Sequence, residues 1–211
     1  MGGPAHDYPA TLGVVLAGGR ALRMGGGDKG RIDVGGAAIL DRTLARLRPQ
    51  CDRLIISAPD PAHFVDTRLP VVADSVPDYA GPLAGILAGL DWTAAHAAEI
   101  AWTITTPSDC PFLPHDLVAR LHRARTDADA TLACARSADR QHPVVALWPV
   151  SLRDDLRRAL ADGVRKVMEW TARYTVGIAE WPAVPVDPFF NVNTPEQAAE
   201  AARLAARYPD A

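Results

Sequence analysis

Short runs of β-branched and apolar residues alternate along this chain with stretches in which leucines recur at helical spacing, and that alternation constrains the fold more than any other feature. Strands separated by helix-length segments cannot pair as tight hairpins, so they line up in parallel with the helices crossing back over the sheet. Residues 12–17 (LGVVLA) read as the first strand, ending in Gly18 and Gly19. Ile32 and Val34 alternate with polar residues before a Gly35–Gly36 turn, and Leu40, Leu44 and Leu47 then form one helical stripe that stops before Pro49. Residues 53–57 and 71–73 are strands, and Pro82 opens a helix carrying Leu83, Ile86, Leu87 and Leu90. Residues 100–105, 131–135 and 144–148 are further strands. Pro114 opens a helix through Leu121, Ser151 caps one carrying Leu152, Leu156 and Leu160, and residues 164–171 form a short helix after Gly163. Thr194, Pro195 and Gln197 make a capping-box signature for a last, alanine-rich helix ending near Arg207. With no repeat or linker between these segments, the expectation is one doubly wound α/β domain with a mostly parallel sheet and helices on both faces.

At 211 residues, 48% of them hydrophobic, the chain can bury a substantial core but is too short for two enzymatic domains. Its 22 basic and 25 acidic residues sum to −3 without any basic block, so neither a nucleic-acid groove nor a basic membrane patch is supported. Cys51, Cys110 and Cys134 are odd in number and lack a CxxC pair, which argues against a disulfide framework or a zinc site. Residues 1–9 have no cationic start and the run at 12–17 is too short for a bilayer, so a cytoplasmic protein, without membrane or nucleic-acid partners, is expected.

In a doubly wound sheet, ligands bind beyond the carboxyl ends of the strands. The segment that leaves the first strand, LAGGRALRMGGGDKG at 16–30, holds five glycines before Asp28, with Arg20, Arg23 and Lys29 among them. Glycines let backbone N–H groups converge on phosphate oxygens, and the three cations add charge at the same place. This is no P-loop, because Lys29 is followed by Gly30 rather than by Ser or Thr opening a helix. Gly25, Gly27 and Gly30 match G-x-G-x-x-G only formally, since they open no helix. A flexible loop without chemical role is the bland alternative, and it does not account for three basic residues held between glycines.

Read as a whole, this string resembles the signature loop of the nucleotidyltransferases that activate sugars and cofactors, and LAGG followed by RMGG and DKG looks most like the molybdenum cofactor guanylyltransferases, a MobA-like nucleotidyltransferase family. The resemblance continues in VADSVPDYAGPLAG at 72–85, in DCP at 109–111 and in NVNTP at 191–195. It implies a single Rossmann-like nucleotidyltransferase domain over residues 11–208 behind a flexible stretch at 1–10, with the nucleotide-binding part reaching to about residue 110 and a molybdopterin-side part after it. The implied reaction transfers GMP from GTP to the terminal phosphate of Mo-molybdopterin, with Mg²⁺ as cofactor and pyrophosphate as the second product. A phosphomonoester with a second pKa near ~6 needs no general base, so the site must chiefly position and neutralise two anionic reactants.

By the same resemblance Leu16, Ala17, Gly18, Gly19, Lys29, Asp74 and Asp109 bind the nucleotide, and Lys29, Arg23 and Asp109 are the catalytic residues. Asp109 also holds the metal, and Asn191 and Asn193 face molybdopterin. Lys29 and Lys166 are the only lysines, so an arginine-preferring chain has kept lysine at the motif position. Each role has a plainer alternative: a solvated lysine, turn residues at Asp74 and Asp109, and an Asx turn at Asn191 and Asn193, read here as two same-face residues of a strand. Gly81, Pro82 and Gly85 set a helix N-terminus beside the cleft. His142, before Pro143, matches an HP pair of the family and is assigned to the substrate side. His115 and His122 read as surface histidines, and Trp148, Trp170 and Trp181 as core or edge residues. Where the family carries Asn after the second strand this chain has Ser57, which loses a bidentate amide. A molybdopterin cytidylyltransferase is the same-fold alternative, although such relatives tend to read LAAG; a non-catalytic nucleotide- or cofactor-binding chaperone is the alternative of another class. A molybdoenzyme or its chaperone would receive the product, and a monomer is expected.

Overall fold

A computed structural model describes residues 6–18, 32–74 and 81–209. The strands are β1 (Thr11–Leu16), β2 (Arg53–Ser57), β3 (Val71–Val72), β4 (Trp102–Pro107), β5 (Leu132–Ser137), β6 (Arg140–Pro149) and β7 (Val176–Trp181). Among the described residues they form one sheet in the order β3-β2-β1-β4-β6-β5-β7. β6 runs antiparallel to both of its neighbours, and the remaining pairs are parallel. The exception has a local cause: Ala138 and Asp139 both adopt left-handed backbone, at φ 46° and 57°, and turn β5 straight back into β6 as a two-residue hairpin. The sheet is thus doubly wound and mostly parallel, as expected.

The helices are α1 (Ile39–Leu47), α2 (Pro82–His96), α3 (Leu117–Asp127), α4 (Arg153–Ala161), α5 (Val167–Thr171) and α6 (Pro195–Arg207). Leu40, Leu44 and Leu47 of α1 and Leu117, Val118 and Leu121 of α3 pack on one face with Val15, Ile56 and Ile104. The opposite face is covered by Leu83, Ile86, Leu87 and Leu90 of α2, with Leu156 and Leu160 of α4 and Trp170 of α5. Successive strand residues point to opposite faces, so β1 lies between two apolar layers and is a near-continuous hydrophobic run. Ala201 and Ala205 of α6 pack with Val34, Ile39 and Phe112 beside the first layer, which brings the C-terminal part of the chain back to the carboxyl edge of the sheet. The Thr194 capping box is present as read. Trp148, Trp170 and Trp181 are core residues, and Trp148 and Trp170 hydrogen-bond through their indole N–H to Thr105 and Asp155.

Several expectations are corrected. Residues 150–152 form a 3₁₀ turn, so α4 starts after Leu152 and Ser151 caps nothing. α3 begins at Leu117, three residues after Pro114, whose carbonyl accepts from the Leu117 N–H across a turn. β7 is a strand that the apolar pattern did not indicate: Gly177 and Ala179 face α3, and a Cβ on Gly177 would sit 2.5 Å from the Ala124 carbonyl oxygen. Close helix packing there demands residues too small to look like a strand. His122 is buried: its Nε2 lies 2.8 Å from Thr11 Oγ1, and its ring stacks on Tyr8, which in turn stacks on His6. Tyr8 also donates to the Gln50 carbonyl, so the part of the stretch at 1–10 that begins with His6 lies against the domain.

Candidate functional site

The carboxyl ends of β1, β2, β3 and β4 meet at one edge, and the ladder of backbone hydrogen bonds runs past the strands themselves. Ala17 N–H donates to Ser57, Ala58 N–H to Val72 and Ser108 N–H to Leu16. Leu16, Ala17 and Gly18, Asp74 and Asp109 therefore leave the sheet at the same edge. Gly19, Arg20, Arg23 and Lys29 lie outside the described residues.

α2 begins at the same edge, close against it because Gly85 has no side chain. A Cβ there would come within 2.9 Å of Leu16 Cδ2 and 3.0 Å of Ser57 Oγ, with Asp74 Oδ1 at 3.7 Å. Gly81 is extended and provides no side-chain cap, and Pro82 has no N–H, so among the described residues no side chain caps the start of α2. Ser57, the departure from the family pattern, is buried with its Oγ 3.4 Å from Asp74 Oδ1. Partial burial pushes the Asp74 carboxyl above the usual carboxylate range, opposed by that hydroxyl.

Asp109 is joined to the C-terminal part of the chain at two levels. Its carbonyl accepts from Val192 N–H at 3.0 Å, and its carboxylate Oδ1 accepts from Asn191 Nδ2 at 2.6 Å. Asn191 Oδ1 in turn accepts from Asn193 Nδ2. The two asparagines are on no strand, which corrects the sequence reading. Val192 spends its N–H on the Asp109 turn, and Asn193 N–H goes to the Gln197 side chain ahead of α6, so neither is available to a ladder. Asp109, Asn191 and Asn193 thus form a connected row along one wall.

Beyond that row opens a cleft of about 470 Å³ whose lining includes Asn191, Asn193, Gln197, His142, Asp187 and Phe189. Ser137, Asp187 and Phe189 were not singled out in the sequence; the signal that marks Asp187, a polar residue among three prolines at 182–188, identifies only a turn. Cys110, next to Asp109, is buried, and burial together with the Asp109 charge holds its thiol well above its ordinary pKa. It is a protonated packing residue and no nucleophile. His115 is exposed, as read.

An α/β sheet with a glycine-rich exit from its first strand, a helix that starts at the same edge and an aspartate at the neighbouring strand end defines a nucleotide-handling domain. The pattern of the MobA-like NTP transferase domain matches residues 13–176, and the chain belongs to that family. A "Molybdenum cofactor guanylyltransferase" of Rhodopseudomonas palustris (strain BisB5) is 58% identical over 206 residues, covering 97% of this chain and 98% of that protein. One from strain HaA2 is 59% identical over 206 residues, covering 97% of this chain and 96% of that protein. Among solved structures, a "Molybdopterin-guanine dinucleotide biosynthesis protein A" from Archaeoglobus fulgidus shares the fold at a TM-score of 0.71 and 23% identity, over 93% of this chain and 99% of that one. Among the described residues no helix is long and apolar enough to cross a membrane.

Proposed function

We propose that this chain is a molybdenum cofactor guanylyltransferase: it transfers GMP from GTP to the terminal phosphate of Mo-molybdopterin and releases pyrophosphate. The observation that carries the reading is the Asp109–Asn191–Asn193 row, which links the strand ends expected to hold a nucleotide to a separate cleft large enough for the head of a second substrate. The near-full-length identity to guanylyltransferases supports the choice of guanine and of molybdopterin. Gly18, exposed and 3.8 Å short of Pro59 even with an added Cβ, leaves open backbone at the position where the base would lie.

The acceptor's phosphate oxygen attacks the α-phosphorus of GTP as the bond to the β-phosphate oxygen breaks, and pyrophosphate carries away the electron pair. The attacking group is already an anion at neutral pH, so the protein's work is to place it in line and offset charge. The first-turn amides of α2 would face phosphate oxygens. Asn191 and Asn193 fix the Asp109 carboxylate and the acceptor side together. Lys29 and Arg23 are assigned to neutralising the departing pyrophosphate, with Leu16 through Gly19 as backbone cradle and Asp74 as a second nucleotide contact.

Mg²⁺ takes oxygen ligands, commonly one or two carboxylates completed by phosphate and water oxygens. Among the described residues no three or more His, Cys, Asp and Glu side chains come together as a metal cluster. The Asp109 carboxylate, which accepts the Asn191 amide N–H, is the donor type such an ion takes. When bound, Mg²⁺ would supply charge neutralisation and Lewis-acid polarisation of phosphoryl oxygens.

Pyrophosphate release with GTP and molybdopterin tests the assignment. Lys29→Ala and Asp109→Ala should each abolish turnover without unfolding the protein, and near-wild-type rates in either would refute the roles given.

A further inference from the structure

The molybdopterin-side cleft contains a hydrogen-bond relay that fixes which face of a histidine meets the ligand. Ser137, the last residue of β5, lies 2.8 Å from His142 Nε2 and donates its hydroxyl to Asp187 Oδ1, also at 2.8 Å. A serine has one proton, and a carboxylate can only accept, so the Ser137 proton is committed to Asp187. Ser137 Oγ must then accept from His142, which places the imidazole proton on Nε2. Asp187 is itself held, because its Oδ1 also takes the Phe189 N–H at 3.0 Å. The His142 ring lies against Phe189 with centroids 4.6 Å apart, so its plane is fixed as well. The left-handed Ala138–Asp139 turn sets Ser137 and Arg140 opposite one another and so brings His142, two residues further on, within reach of Ser137; Asp187 reaches the same hydroxyl from the proline-rich loop.

With Nε2 occupied, Nδ1 is the nitrogen left to the ligand. Among the described residues it makes no hydrogen bond, and His142 lines the cleft. The charged groups around the ring are Asp187, which favours protonation, and Arg140, which opposes it; burial is the largest influence and lowers the pKa. The ring is therefore neutral near pH 7, with a lone pair on Nδ1.

We propose that His142 Nδ1 accepts a hydrogen bond from an N–H of the acceptor's heterocycle, making His142 a specificity-determining residue for a pterin edge, with Ser137 and Asp187 as positioning residues. A phosphate, which offers acceptors only, would be repelled by the same lone pair, so this nitrogen orients the ring end of the acceptor and not its nucleophilic end. The inference rests on the guanylyltransferase reading for the identity of the acceptor, but its hydrogen-bond direction does not.

Two measurements test it. In histidine-labelled protein, long-range ¹H–¹⁵N correlation should show His142 protonated at Nε2 and bare at Nδ1, and a soluble reduced pterin should shift the Nδ1 signal. In steady-state assays His142→Phe, which keeps the contact with Phe189, should raise KM for molybdopterin roughly three- to tenfold, the value of one neutral hydrogen bond, without changing KM for GTP. His142→Gln, which restores an acceptor, should recover part of the loss, and Ser137→Ala should give a smaller rise that Ser137→Thr reverses. A proton on Nδ1 in the free protein, no response of Nδ1 to the pterin, or an unchanged molybdopterin KM in His142→Phe would overturn the inference. Absence of turnover in the wild-type protein would instead refute the guanylyltransferase reading, and the two NMR results would still decide the role of His142.

Discussion

Asn191→Leu removes the amide that holds Asp109 while keeping the side chain's size. Asn191 Nδ2 lies 2.6 Å from Asp109 Oδ1, and its own Oδ1 takes Asn193 Nδ2, so the substitution breaks a charge-assisted bond and a neutral one together. A hydrogen bond to a charged group is worth about 1.5–3 kcal/mol, and both partners here are only half-buried, which places the effect toward the lower end. At about 1.4 kcal/mol per factor of ten, kcat/KM for the acceptor should fall roughly ten- to thirtyfold. Asn193→Ala, at the exposed end of the row, should cost about threefold. The assay is pyrophosphate release with each substrate varied in turn, and thermal unfolding checks that the fold survives. An Asn191→Leu protein within threefold of wild type on an intact fold, or an Asn193→Ala loss larger than that of Asn191→Leu, would refute the claim that this row organises the site.

Gly85→Ala should raise KM for GTP by roughly tenfold, because its Cβ would push Leu16 or Ser57 away from the nucleotide edge; an unchanged KM would show that the close approach of α2 has no bearing on binding. Gly177→Ala should cost roughly 2–3 kcal/mol and lower Tm by about 5–10 °C, since its Cβ would meet three backbone atoms of α3 between 2.5 and 2.9 Å, and those atoms cannot rotate away. His122 gives a pH signature. Its Nε2–H bonds Thr11, whose own proton goes to Pro9, and its buried Nδ1 has no partner among the described residues, so the pKa is lowered from 6.5 to about 4, chiefly by burial and further by Arg125. The unfolded state binds the proton more tightly, so this contribution is whole above pH 6.5 and is lost as pH falls to about 4, a change of roughly 3 kcal/mol. Unfolding curves across that range should lose this slope in His122→Gln, and an unchanged slope would contradict the assignment.

Much of the fold was legible because its signals are local. The stripes at Leu40, Leu44 and Leu47 and at Leu83, Ile86, Leu87 and Leu90 are α1 and α2, residues 53–57 are β2, and the Thr194 box is formed as read. β7 was invisible for a tertiary reason: the backbone of α3 rests on it, and the glycine and alanine that permit this erase the apolar alternation. His122 read as a surface residue because spacing on a helix does not reveal that a threonine from β1 and an aromatic stack wait across from it. In the site, Asp74 and Asp109 were identifiable as residues following strands. The relay of Ser137, His142 and Asp187 was not, since its members join one hairpin to a proline-rich loop fifty residues away from Ser137 in the chain.

The central claim is the transfer of a guanylyl group to molybdopterin, and following the α-phosphate tests it most directly. GTP, CTP and ATP, each labelled at the α-phosphate, are incubated in turn with the protein, Mg²⁺ and molybdopterin, and the label is located in the products by mass. Label from GTP is expected in a molybdopterin dinucleotide in equal amount to the pyrophosphate released, with little transfer from the other two nucleotides. Transfer from CTP alone, or GTP binding without any dinucleotide, would contradict it.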